Sequence, residues 1–227
     1  MVDGRETGNE LKTEILPAAP EFLFDGPEGA ESAVVLAHGA GAPMDSPFLN
    51  DFARGLGQRG IRVARFEFPY MRARRSRGGR GAPDRELVLR ESWRSALELL
   101  EGGARLAIGG KSLGGRIASL VADELGARAL LCLGYPFHPP GQPERLRTKH
   151  LAALRTPALI LQGTRDPFGT PEDVASYRLS PAIRVRWIED GDHSWKPRVA
   201  SGRTLAQNME EAVAAAALFL VELPPAP

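Results

Sequence analysis

Short apolar runs alternate with segments of helical periodicity along most of the chain. EFLFDG (21–26) and AVVLAHG (33–39) flank the turn-rich stretch DGPEGAES, a pattern that predicts a β-hairpin. Ser46 stands as a helix cap with Pro47 at the first helical position, opening a helix through FLNDFARGLGQRG. IRVARFEFP (61–69) reads as a strand ended by proline, and after an Arg/Gly loop residues 83–100 carry leucine and tryptophan at helical spacing. LAIGG (106–110), a helix over about 114–125, ALLCLGYP (129–136), a short helix around 145–154 and ALILQGTRD (158–166) follow. PEDVASYRL is helical from Pro171, IRVRWIED (183–190) is a strand, and 204–223 is a long final helix.

The interior runs VVLA, LAIGG, LLCLG and LILQG are apolar at successive positions instead of alternating, as expected of strands covered on both faces by helices. Regular β-α-β alternation then predicts an α/β fold with a doubly wound, mostly parallel sheet. Residues 1–18 are expected to be a loose N-terminal tail, and 19–227 one domain, a size that the 227-residue chain supports.

Composition narrows the function classes. With 29 basic and 28 acidic residues the net charge is +1, so no global field draws the chain to nucleic acid or to a membrane surface. The longest apolar run, Ala212 to Val221, is far shorter than the roughly 20 residues of a transmembrane helix. The N-terminus has no secretory pattern, and the single cysteine, Cys132, forms no internal disulfide, so a cytoplasmic location is expected. The oligomeric state is not legible.

In a doubly wound sheet, chemistry collects at the carboxyl ends of the strands. After LAIGG comes Gly110-Lys111-Ser112-Leu113-Gly114, a G-x-S-x-G between strand and helix, in which a tight turn projects the serine and its flanking positions must be small. The overlapping G-K-S is not a phosphate loop, because the first glycine of that motif would fall on Arg105. After ALILQGT stands Asp166, and beyond IRVRWIED stands His193. Ser112, Asp166 and His193, in that order, suit nucleophilic catalysis: the imidazole takes the serine proton and the carboxylate orients the imidazole. Asp190 and Asp192 compete for the acid role only by closeness in sequence.

The Leu113 N–H at the helix start and the Ala40 N–H of the loop His38-Gly39-Ala40-Gly41 are the expected oxyanion donors, with Gly41 as an alternative to Ala40. His38 is expected to pack and hydrogen-bond beneath that loop, and His150 to lie on a helix surface. Met44, Phe48, Tyr70, Phe137, His138, Phe168 and Trp195 fall near strand ends and are candidates to line an acyl pocket. Residues 70–85 hold six arginines, Arg72, Arg74, Arg75, Arg77, Arg80 and Arg85. They read as a solvated loop, with docking of an anionic ester as the functional option. No metal or other cofactor is expected, since no H-x-x-x-H or paired-cysteine spacing exists.

HGAGAPMDSPFL, GGKSLGGR, GYPFHPPG, LQGTRDPFG and GDHSW, in this order, resemble the α/β-hydrolase superfamily. They are similar in particular to its small dienelactone-hydrolase-like branch, which includes proteins related to testis-expressed protein 30. The resemblance runs from about Phe22 onward. It implies an α/β-hydrolase fold with Ser112, Asp166 and His193 as the triad. Dienelactone hydrolases carry a cysteine where Ser112 stands, so their substrate does not transfer to this chain. Only about 20 residues separate Pro136 from Ala158, too few for a separate lid domain. The expectation is a serine hydrolase cleaving a small-molecule ester or thioester, with no nucleic-acid or membrane partner. A protein-interaction module without turnover is the alternative, since some relatives of this branch are subunits of regulatory complexes.

Overall fold

The computed structural model describes residues 19–79, 81–101 and 105–223; the expected N-terminal tail and Arg80 lie outside them. Seven strands form one sheet: β1 (Phe22–Asp25), β2 (Ala33–Ala37), β3 (Arg62–Phe66), β4 (Ala107–Lys111), β5 (Ala129–Leu133), β6 (Ala158–Gly163) and β7 (Ile183–Ile188). Their spatial order is β1-β3-β2-β4-β5-β6-β7, and every neighbouring pair is parallel except β1 with β3.

Successive side chains of the central strands enter opposite cores. Val35 of β2 and Leu130 and Cys132 of β5 pack into one core, around Trp93 and Ile117. Val34 and Leu36 of β2 and Leu131 and Leu133 of β5 pack into the other. That second core includes Leu49, Phe52 and Leu56 of α1 (Pro47–Gly57) and Val213, Ala216 and Leu220 of α6 (Leu205–Val221). The first core takes α3 (Glu86–Leu99) and α4 (Leu113–Val121), with buried residues of α2 (Pro69–Arg77) and α5 (Pro171–Ala175) at its margin. Two-sided burial explains the unbroken apolar runs in the sequence.

The hairpin expected between the first two strands does not form. β1 pairs antiparallel with β3, Phe22 opposite Phe66, while both edges of β2 are taken by parallel neighbours. Side chains across the β1–β3 pair favour this partner. Arg65 Nη2 lies 2.7 Å from Asp25 Oδ2, and the Arg62 guanidinium sits 4.5 Å over the Phe24 ring.

The arginine segment also departs from expectation, since its first half is the helix α2. Pro69 opens it, the Asp84 carboxylate accepts the Tyr70 N–H at 2.8 Å, and Gly78 ends it at φ 70°. Arginine is a good helix former, but only Tyr70 and Met71 of α2 are buried, so apolar periodicity could not announce it.

The helix expected around 145–154 shrinks to a 3-10 turn, Leu151–Ala153. The Arg147 N–H is spent on the Phe137 carbonyl at 2.8 Å and the Arg147 carbonyl accepts the Tyr135 hydroxyl at 3.0 Å, so the stretch is tied to the end of β5 instead of bonding along a helix. No separate lid domain stands between β5 and β6. Among the described residues, no helix is long and apolar enough to cross a membrane.

Candidate active site

Ser112 sits on the turn between β4 and α4 with φ 50° and ψ −109°, in a region that non-glycine residues rarely occupy. The glycines two positions either side are dictated by backbone contact. A Cβ at Gly110 would lie 2.1 Å from the Ala37 carbonyl oxygen, and one at Gly114 2.3 Å from the same atom. The end of β2 therefore presses against the turn from both sides of the serine. The Ser112 N–H donates to the Leu133 carbonyl at 3.1 Å, which ties the turn to β5.

His193 lies in the loop after β7, and its Nδ1 is 2.7 Å from Oδ2 of Asp166 beyond β6. Asp166 is fully buried. Its Oδ1 accepts the Phe168 N–H at 2.9 Å, and its Oδ2 accepts from Gln162 Nε2 at 2.9 Å. Burial is the main influence on the imidazole and lowers its pKa below the ordinary value; the bond to Asp166 acts in the opposite direction. With Nδ1–H donating to the carboxylate, the neutral ring carries its lone pair on Nε2. Asp190 and Asp192 are engaged elsewhere: Asp190 pairs with Arg165 and Arg198, and Asp192 Oδ1 accepts the N–H groups of Ser194 and Lys196.

Ser112 and His193 line one cleft of about 470 Å³, walled by Ala40, Phe48, Leu49 and Phe168 and bordered by Lys111. The loop after β2 is held from beneath. His38 Nε2 accepts the Phe68 N–H at 3.1 Å, so Nδ1 carries the proton and donates to the Gly39 carbonyl at 2.7 Å. Burial lowers the His38 pKa, which keeps this ring neutral. The Tyr70 hydroxyl and Arg74 Nη1 donate to the Ala40 carbonyl at 3.3 and 3.2 Å.

Of the seven candidate lining residues, Phe48 and Phe168 face this cleft, the Phe168 ring 4.4 Å from the His193 ring. The other five do not line it. Trp195 is buried beneath Phe48 and Phe52, and Phe137 is buried against Tyr177. Tyr70 props the loop after β2, and buried His138 faces Asp173 at 3.5 Å. Met44 opens on a separate cavity of about 460 Å³ with Glu67 and Arg75. Large apolar side chains near strand ends gain more from burial in the two cores than from facing an open cleft.

The sequence model of the alpha/beta hydrolase domain matches residues 30–221. The chain belongs to the alpha/beta hydrolase family. Solved structures agree on the fold. An alpha-beta serine hydrolase homologue from Coxiella burnetii superposes with a TM-score of 0.64 at 20% identity, over 88% of this chain and 93% of that one. A serine hydrolase without lid from Xanthomonas campestris gives 0.62 at 20% identity, over 92% and 98% of the two chains. A dienelactone hydrolase from Anabaena variabilis gives 0.67 at 20% identity, over 90% and 92%.

In this alpha/beta hydrolase two buried amides support the cleft, and neither was singled out from the sequence. Gln162, inside the apolar run LILQG, bonds Asp166 and also accepts the Tyr135 N–H at 2.7 Å. A lone polar residue in a strand buried on both faces is a signal for such a role. Asn208 on α6 grips the His193 loop and carries no comparable signal, since its partners lie on a distant segment.

His150 is not a helix-surface residue. Its Nε2 is 2.8 Å from Ser119 Oγ, and burial pushes its pKa down to about 4. In the arginine segment, Arg75 pairs with Glu67 and Asp45, Arg74 is bonded to Ala40, and Arg72 Nη1 donates to the Ala19 carbonyl at 2.7 Å.

Proposed function

We propose that the chain is a serine hydrolase that cleaves carboxylic esters or thioesters through an acyl-enzyme on Ser112. The observation that carries this reading is the 2.7 Å contact between His193 Nδ1 and buried Asp166, in the cleft that also exposes Ser112 on its strained turn. Ser112 Oγ attacks the substrate carbonyl while His193 Nε2 takes its proton, and the resulting imidazolium stays paired with the Asp166 carboxylate. The N–H groups of Leu113 and Ala40 stabilise the oxyanion. Collapse breaks the bond to the alcohol or thiol, which leaves with the proton from His193. Water then attacks the acyl-enzyme, His193 accepts its proton, and Ser112 is regenerated as the acid departs. The small dienelactone-hydrolase-like branch, with its relation to testis-expressed protein 30, fits this reading with serine in place of cysteine.

Intact mass after exposure to a fluorophosphonate, on wild type and Ser112→Ala side by side, tests the proposal. One adduct on wild type and none on the variant is the expected result. A well-folded wild type that takes no adduct would overturn the reading and favour an interaction module without turnover.

A further inference from the structure

Lys111 borders the cleft that Ser112 and His193 line. It ends β4 one residue before Ser112, and its Nζ donates to the His193 backbone carbonyl at 2.7 Å. The Phe48 ring lies 5.4 Å from Nζ on another side. The end of β5 is shaped for this contact. Gly134 has φ 71°, and a Cβ there would lie 3.0 Å from Lys111 Nζ, 3.1 Å from the His193 carbonyl oxygen and 3.2 Å from His193 Nδ1. The positive φ favours glycine there, and any side chain would press on the ammonium and the imidazole together.

We propose that Lys111 is a positioning residue for His193: its ammonium pins the backbone of the histidine loop, and its positive charge beside the ring disfavours a second positive charge on the imidazole. The inference rests on the serine hydrolase reading of the same site. The charged groups acting on the imidazole are Asp166 from the end of β6, Asp192 from its own loop and Lys111 from the end of β4. Burial disfavours the imidazolium most, the two carboxylates favour it, and among the charged groups the Lys111 ammonium opposes them. Lys111 is in turn subject to burial, which lowers its pKa to about 8, while Asp166 and Asp192 act to keep it charged. A neutral imidazole is the form required to take the proton of Ser112.

The test titrates the His193 imidazole by NMR in wild type, Lys111→Gln and Lys111→Arg, and measures the fluorophosphonate labelling rate in these proteins and in Lys111→Met. Loss of the charge in Lys111→Gln is expected to raise the His193 midpoint by about half a pH unit to one unit, and Lys111→Arg to leave it near the wild-type value. Lys111→Met, which loses the donor as well, is expected to label about tenfold more slowly or worse. If Lys111→Met fails to fold, as judged by circular dichroism, Lys111→Gln still reads the effect of the charge. An unmoved midpoint in Lys111→Gln, or labelling of folded Lys111→Met within about twofold of wild type, would overturn the proposal. A wild type that titrates normally but neither labels nor turns over an ester overturns the hydrolase reading instead, so the two failures are distinguishable.

Discussion

Asn208 Nδ2 donates to the Trp195 carbonyl at 2.8 Å and to the Glu189 carbonyl at 3.1 Å, so a single buried amide of α6 brackets the loop that carries His193. The loop needs such a clamp, because Asp190 and Trp195 within it both hold positive φ, at 51° and 64°. Replacing Asn208 by Ala would leave two carbonyls without their donor. We expect Asn208→Ala to lose about 2 kcal/mol of stability. The variant should also label more slowly with a fluorophosphonate even at temperatures where it is fully folded. Urea unfolding and labelling rates on the same preparation check both effects.

The turn at Ser112 stores strain, and its removal has a measurable sign. At φ 50° and ψ −109° a side chain is disfavoured, so Ser112→Gly should be more stable than Ser112→Ala by about 1 kcal/mol, the entropy of glycine in the unfolded chain offsetting part of the relief. Neither variant should take a fluorophosphonate adduct. Paired denaturant titrations give the difference directly, and equal midpoints would show that the strain relieved is no larger than the entropy glycine adds to the unfolded chain.

His150 makes stability depend on pH. Its pKa falls to about 4 in the folded protein, through burial first and then the Arg116 and Arg90 charges, against about 6.5 in the unfolded chain. Between those values the unfolded state binds the extra proton. This contribution is therefore complete above about pH 6.5 and is lost as pH falls toward 4. Wild type should lose about 1–2 kcal/mol more than His150→Gln on moving from pH 7 to pH 5, measured by urea unfolding at the two pH values.

Legibility followed the range of the interactions. The serine turn could be read from five consecutive residues because the motif is local, although the contact that both glycines answer, the Ala37 carbonyl, comes from the neighbouring strand β2. Asp166 and His193 stand in the short loops that follow β6 and β7, where the chain order alone brings them to notice. Phe137 and Trp195 occupy similar positions in sequence, yet they turn into the interior, which depends on whether Tyr177 or Phe52 stands ready to receive them. Gln162 was visible only as a polar interruption, and its partners Tyr135 and Asp166 come from two different strand ends.

By itself, the sequence determined the order of the seven strands, the helices α1, α3, α4, α5 and α6, and the residues standing at each strand end, because hydrophobic periodicity and turn chemistry are local properties. Tertiary structure alone decided that β1 pairs with β3 instead of β2, and that an arginine-rich stretch with two buried residues becomes a helix. It also decided that Lys111, Gly134 and His193 meet at one point. Those outcomes depend on which surfaces the sheet leaves open and on close approaches between segments up to 82 residues apart, which no local pattern records.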